Sequence, residues 1–196
     1  MFYKPEDGHG LPHNPFYAVV TPRPIGWIST RGRLGDNLAP YSFFNAVASD
    51  PPQVMFASNG KKDSLANIIE SSVFAVNIVS EALMAAMNQT SAALPHGTDE
   101  FSHAGLARSE CQTIHCPFVA ASPAVLECRM TQVIPLQGQN NFMILGAVTG
   151  IHIADDCIVN GRLDVTRFHP VARLGYKDYA VIRDLVAMDR PRQDLS

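Results

Sequence analysis

Ala124-Val125-Leu126-Glu127-Cys128-Arg129-Met130-Thr131-Gln132-Val133-Ile134-Pro135 is followed by Leu136-Gln137-Gly138-Gln139-Asn140 and then by Asn141-Phe142-Met143-Ile144-Leu145-Gly146-Ala147-Val148-Thr149-Gly150-Ile151-His152-Ile153. Both flanking runs are rich in β-branched and apolar residues, and a glycine-containing loop of ordinary hairpin length joins them. Two strands this long, joined this tightly, fit an antiparallel sheet and are hard to place in a parallel one. The fold class therefore reads as mainly β.

Upstream, Phe16-Tyr17-Ala18-Val19-Val20 and Ile25-Gly26-Trp27-Ile28-Ser29-Thr30 have strand composition, and Pro22 and Pro24 between them exclude a continuous helix. Arg31 to Asn37 supplies the glycines and Asx residues of a turn between antiparallel strands. Gln53 to Ser58 and Val73 to Val79 are short buried strands. Between them Leu65, Ile68, Ile69 and Ser72 recur at helical spacing, with Asp63 or Ser64 placed to cap the first turn. Glu81 to Met87 reads as a second helix. Short extended pieces around Cys157–Asn160 and Tyr179–Ile182 bring the count to six or more strands with two short helices and no βαβ alternation, the pattern of an antiparallel barrel. Residues 1–15 read as an irregular arm and residues 16–196 as the domain. The stretch 91–123 is long and irregular, which suits a lid or an arm reaching a second copy.

The chain has 196 residues, 46% hydrophobic and 17% charged, with a formal net charge of −3. Such a chain buries roughly 70% of the surface its unfolded form exposes. Fifteen basic residues against 18 acidic ones, with no long basic run, lack the footprint of a nucleic-acid or membrane-surface binder. No apolar run reaches the roughly 18 residues of a membrane span. Cys111, Cys116, Cys128 and Cys157 have neither zinc-site spacing nor the density of a disulfide scaffold, so they read as reduced and the chain as cytoplasmic. Seven histidines show no HxH, HxxxH or HExxH pattern, and no metal is expected. No serine or cysteine carries a nucleophile motif, so no protein catalytic residue is assigned. His152 falls on the strand face that carries Phe142, Ile144 and Val148, so it is partly buried there or reaches a ligand.

Two stretches point to a ligand. In Ser58-Asn59-Gly60-Lys61-Lys62-Asp63-Ser64, two lysines stand just ahead of a helix start, where the macrodipole already places positive charge. An anion removes that conflict, and first-turn N–H groups, the Ser58 and Ser64 hydroxyls and a lysine suit a phosphate, with a plain solvated turn as the alternative. Asn37-Leu38-Ala39-Pro40-Tyr41-Ser42-Phe43-Phe44-Asn45 mixes amide and hydroxyl groups with aromatics around a proline that frees backbone groups. That suits the edge of a planar heteroaromatic ligand, with a bent core strand as its alternative.

Arg23-Pro24-Ile25-Gly26-Trp27-Ile28-Ser29-Thr30, Asn37 to Asn45, Pro51-Pro52 and Lys62-Asp63-Ser64 with Asn67-Ile68 together resemble the signatures of the flavin reductase-like, FMN-binding split-barrel family. Asp99-Glu100-Phe101, Ala104-Gly105-Leu106, Ser122-Pro123, Gly146 to Ile153 and Arg173-Leu174-Gly175 extend the likeness in order, over about residues 16–180. The group of the nitrilotriacetate monooxygenase reductase component and the flavoredoxins looks nearest. The resemblance implies a six-stranded antiparallel Greek-key split barrel with a few short helices, a homodimer, and non-covalent FMN in a groove near the dimer interface. By that similarity Trp27, Ser29, Thr30, Asn37, Leu38, Ala39, Pro40, Ser42, Phe43 and Phe44 line the ring system and ribityl chain. Ser58, Lys61, Lys62 and Ser64 then meet the phosphate. It further implies hydride transfer from NADH or NADPH to flavin, with FAD admitted as a substrate and free flavin, oxygen or a partner oxygenase as acceptor. A flavoredoxin-like electron carrier without nicotinamide activity and a non-redox ligand-binding barrel are the alternatives.

Overall fold

In the computed structural model, which describes residues 1–191, the long hairpin is built over Ala124–Pro135 and Asn141–Ile153. It lies at the middle of one antiparallel sheet. The strands are β1 (Gly26–Gly32), β2 (Gly35–Tyr41), β3 (Phe44–Ser49), β4 (Pro52–Asn59), β5 (Val73–Ile78), β6 (Ala124–Pro135) and β7 (Asn141–Ile153). Their spatial order is β2-β1-β5-β6-β7-β4-β3. The outermost strands of that order, β2 and β3, are only Ser42 and Phe43 apart in sequence, and the Ala57 N–H on β4 donates to the Phe43 carbonyl at 2.8 Å. The sheet must therefore curl until its two edges approach, which makes it the expected split barrel, with β3 as one strand beyond the expected six.

The curl encloses a core to which all seven strands contribute, with Ile28, Tyr41, Phe44, Phe56, Phe74, Cys128 and Ile144 at its centre. Helix α1 (Asp63–Ser71) closes one end through Leu65 and Ile68, both fully buried. Gly146 on β7 makes room for this packing, since a Cβ there would stand 2.5 Å from the Phe74 ring. A second core, with Trp27, Leu38, Met87, Phe101 and Val119, lies on the outer face of β1 and β2. It is covered by α2 (Met84–Gln89), α3 (Glu100–His103) and the small hairpin Arg108–Glu110 with Pro117–Val119. Much of the stretch read as irregular is thus a packed cover. Arg108 fastens it to the β1–β2 hairpin, reaching Asp36 at 2.7 Å and Asp99 at 2.6 Å.

Several local expectations are corrected. Phe16–Val19 is a short helix and not a strand: Asn14 Oδ1 accepts from the Phe16 N–H, and the Ala18 and Val19 N–H groups return to the Pro15 carbonyl. Neither Asp63 nor Ser64 caps α1, whose N-cap is Lys62 with no side-chain cap. The second helix runs from a 3-10 turn, Glu81–Leu83, into α2 and ends beyond Met87. Residues 1–15 contain one 3-10 turn, Pro5–Asp7.

His152 faces the other way from the uninterrupted alternation. The β6–β7 pairing shifts register between Leu145 and Gly146 and again between Val148 and Gly150, and the second shift rotates the strand end. His152 therefore leaves the barrel core, stacks near Phe118 with ring centres 4.8 Å apart, and sets Nε2 2.5 Å from Glu127 Oε1. Glu127 is 1% exposed and accepts from the Gln112 and Thr113 N–H groups at 2.7 and 2.6 Å and from the Thr113 hydroxyl. Burial alone would raise its carboxyl, but these partners outweigh it and hold the group at about 2 against an ordinary 4.5. A depressed carboxyl stabilises the fold fully above its unfolded value and loses that contribution as pH falls toward the folded one. Between about pH 5 and pH 2 the wild type is expected to lose on the order of 3 kcal/mol more than Glu127→Gln. Urea melts across that range check this, and parallel stability curves would contradict it.

Candidate functional site

Between the β2 end, the β4–α1 turn and the chain after α2 lies a groove of about 660 Å³, within the size range of cofactor sites. Its floor is a chain of buried polar contacts. Asn37 Nδ2 donates to both Glu100 carboxylate oxygens at 3.0 Å, the Leu38 N–H donates to the same group at 3.0 Å, and the Ser64 hydroxyl donates to Asn37 Oδ1. Burial raises the Glu100 carboxyl above its ordinary range, against the pull of the Leu38 N–H.

One end of the groove is the turn into α1. The helix start has no side-chain cap, so its first-turn N–H groups remain available. Lys61 and Lys62 are exposed, and among the described residues neither forms an ion pair. The Asp63 carboxylate stands in the first turn of α1 and also lines the groove. It accepts from the Gly97 N–H at 2.9 Å and lies 2.5 Å from His96 Nδ1. Burial works against its charge, but Gly97 and His96 outweigh it and hold the carboxyl below its usual range. Tyr41 forms the wall beside this turn; its ring packs on Phe56 with centres 4.8 Å apart, and its hydroxyl is buried with no hydrogen-bond partner. Burial pushes the phenol up, so it stays an O–H donor. An uncapped helix start beside two unpaired lysines, with a Tyr41 hydroxyl that neighbours those of Ser58 and Ser64 and is hydrogen-bonded to neither, fits a phosphate.

The other end is aromatic. Phe43 and Tyr17 stack with ring centres 5.8 Å apart and planes at 24°. Arg23, 7% exposed, anchors the Tyr17 helix by donating to the Tyr17, Val20 and Leu174 carbonyls. Apolar ring area at one end and free cationic and hydroxyl donors at the other fit a phosphorylated planar heterocycle such as FMN. A second groove of about 720 Å³, lined by Glu81, Met84, Asn88, Arg173, Lys177 and Tyr179, does not offer this set, because Arg173 already donates to the Tyr179 hydroxyl at 2.6 Å and to the Tyr176 carbonyl.

Asn37, Ala39, Pro40, Ser42, Phe43, Lys61, Lys62 and Ser64 line the groove together. The other expected site residues point elsewhere. Leu38 and Trp27 belong to the outer core, where the indole N–H donates to the Thr90 hydroxyl at 2.9 Å and backs the groove wall from behind. Ser29 donates to the Pro117 carbonyl at 2.7 Å, Thr30 accepts from Asn67, and Phe44 lies in the barrel core. Ser58 is 1% exposed and donates to the Gly60 carbonyl. Tyr17, Thr90, His96 and Glu100 also line the groove and were not expected to, and Tyr41, part of the expected Asn37–Asn45 stretch, lines it too. Glu100 and Tyr41 stand inside two of the quoted signatures, which is the one signal that could have found them.

Residues 18–167 match the family described as Flavin reductase like domain. The chain belongs to this flavin reductase-like family. A solved structure of nitrilotriacetate monooxygenase component B from Bacillus cereus is similar, with 29% identity, a TM-score of 0.88, and coverage of 96% of this chain and 98% of that one. The 2-nitrobenzoate 2-nitroreductase of Pseudomonas fluorescens is 30% identical with a TM-score of 0.82, covering 89% and 88%. The flavoredoxin of Desulfovibrio vulgaris (Miyazaki F) shares the fold, with a TM-score of 0.81 over 92% and 95% at 17% identity. Membership of the family makes a flavin the ligand class of the chain.

If the Tyr41 hydroxyl awaits a ligand, Tyr41→Phe costs the ligand-free chain nothing. It is expected to be as stable as wild type or more stable by about 1 kcal/mol, because a buried hydroxyl without a partner is a penalty. Chemical denaturation measures this, and destabilisation of that size would mean that the hydroxyl has a protein acceptor.

Proposed function

We propose that this protein is an NAD(P)H-dependent flavin reductase that holds FMN non-covalently in the groove, phosphate at the α1 start and ring system toward Phe43 and Tyr17. The observation that carries this reading is the uncapped start of α1 with the unpaired Lys61 and Lys62, in the same groove as a Tyr41 hydroxyl that has no hydrogen bond. Lys61, Lys62, the Tyr41 O–H and the first-turn N–H groups donate to the phosphate, while Asn37 and Glu100 hold the groove floor rigid. The Ser58 and Ser64 hydroxyl protons are committed to Gly60 and Asn37, so these two residues shape the turn more than they donate to the ligand. FMN, when bound, supplies the hydride chemistry, and no protein general base is required.

NADH or NADPH docks on the open side of the groove. Electrons leave to free flavin, FAD included, to dioxygen, or to an oxygenase; the likeness to a monooxygenase component supports the last. We place the protein in the cytoplasm as a homodimer. Val47, Ile151 and Ile153 are 51%, 58% and 39% exposed, an apolar surface that a second copy would cover, and light scattering reads that state directly.

Anaerobic mixing of the FMN-loaded protein with NADH and NADPH tests the reading. Bleaching of the flavin band within seconds by at least one nicotinamide is expected. A band that only a reduced protein donor bleaches would make the chain a flavoredoxin-type carrier instead.

Replacing Lys61 and Lys62 together with Met is expected to weaken FMN by roughly 10- to 150-fold, the equivalent of about 1.5–3 kcal/mol for one charge-assisted hydrogen bond. Riboflavin has no phosphate and should bind nearly unchanged. Equal losses for both ligands in fluorescence titrations would remove the lysines from the phosphate site.

A further inference from the structure

The small hairpin that covers β1 pairs Arg108 with Val119, Ser109 with Phe118 and Glu110 with Pro117. The next pair toward the turn is Cys111 and Cys116. Their register is continued by the Cys111 N–H, which donates to the Cys116 carbonyl at 3.0 Å. Residues opposed at such a position in an antiparallel pair have Cα atoms about 5.5 Å apart. That lies inside the roughly 4.4–6.8 Å separation that a disulfide accepts. Both thiols are free, and they share one apolar cluster with Ala75, Ile114 and Val125.

The two sulfurs differ in access. Cys111 is partly exposed, and Cys116 is fully buried, with its thiol 3.3 Å from the Ser29 carbonyl. The neighbouring Cys111 thiol and burial push the Cys116 thiol up. The other two cysteines have no such partner. Cys128 lies in the barrel core on the opposite face of the sheet, and the Cys157 thiol points to Asp156.

We propose that Cys111 and Cys116 form a peroxide-oxidised dithiol site, with Cys111 the attacking and Cys116 the resolving sulfur. The Cys111 sulfur, as thiolate, attacks one oxygen of hydrogen peroxide; the O–O bond breaks, hydroxide leaves and takes up the thiol proton as water, and Cys111 becomes a sulfenic acid. The Cys116 sulfur then attacks the Cys111 sulfur. The S–O bond breaks, the departing hydroxide takes the Cys116 proton, and the S–S bond forms. Two thiols and one peroxide become one disulfide and two waters, with two electrons passing from sulfur to peroxide. The turn 112–115 between the cysteines already carries the Gln112 and Thr113 N–H groups that hold Glu127, so the bond closes a loop that is fixed in place.

The test uses the full chain, with and without FMN, and a slight excess of hydrogen peroxide. Free thiols should fall from four to two, the mass should drop by two hydrogens, and dithiothreitol should restore both. Cleavage after Phe118 separates Cys128 from the pair, and the mass change should stay on the piece holding Cys111 and Cys116. Cys116→Ser should instead accumulate a sulfenic acid on Cys111 that dimedone traps, while Cys111→Ser should keep its remaining thiols at the same peroxide dose. Retention of all four thiols in the wild type, a mass change on Cys128 or Cys157, or trapped sulfenic acid on wild-type Cys111 to the same extent as in Cys116→Ser would overturn the proposal. The wild-type thiol count and peptide map decide it even if a variant fails to fold.

Discussion

The Asn37 side chain is the contact on which the groove depends. Its amide donates to the Glu100 carboxylate and its carbonyl accepts from the Ser64 hydroxyl, so one buried residue on β2 ties together α3 and α1, elements 63 and 27 residues away in sequence. Each partner is buried, and a buried polar group left unpaired costs roughly 1–3 kcal/mol, so the three groups hold one another in a single arrangement. The barrel provides the platform. The amide joins three separate chain segments into the walls of one site.

That same accounting separates the groups that build the groove from those left for a ligand. Ser58, Ser64 and Asn37 have spent their donors on the protein. The Tyr41 hydroxyl has not, and Lys61 and Lys62 form no ion pair among the described residues, with the Asp63 carboxylate in the same turn bound to Gly97 and His96 instead. Two ammonium groups at the positive end of a helix repel it by a few tenths of a kcal/mol each. The Asp63 carboxylate in the first turn offsets part of this repulsion, and the phosphate of the proposed ligand would offset the rest.

Much of this was legible in the sequence, and the failures have physical causes. The β6–β7 hairpin could be read because long β-branched runs around a short glycine loop admit few alternatives, and α1 because Leu65 and Ile68 recur at helical spacing. Phe16–Val20 misled because four apolar residues suit a strand or a single helical turn equally, and only the Asn14-Pro15 start decides between them. His152 was placed on the wrong face because alternation fails at a register shift that no single residue announces. Trp27, Ser29, Thr30 and Phe44 sit in β1 and β3, which lie beside the strands that line the groove and contribute no side chain to it, and the curl of the sheet that decides this is not written in either strand. Glu100 was missed because a lone carboxylate in an irregular stretch gives no hint of an amide partner so distant in sequence.

The central claim is that this groove holds the flavin with its phosphate at the start of α1. A crystal structure of the chain with FMN measures that directly. Phosphate density is expected within hydrogen-bonding distance of the Tyr41 hydroxyl and of Lys61 or Lys62, with the ring system on the Phe43 side. Phosphate density at the Arg173 and Lys177 groove, with the Tyr41 hydroxyl still without a partner, would contradict it.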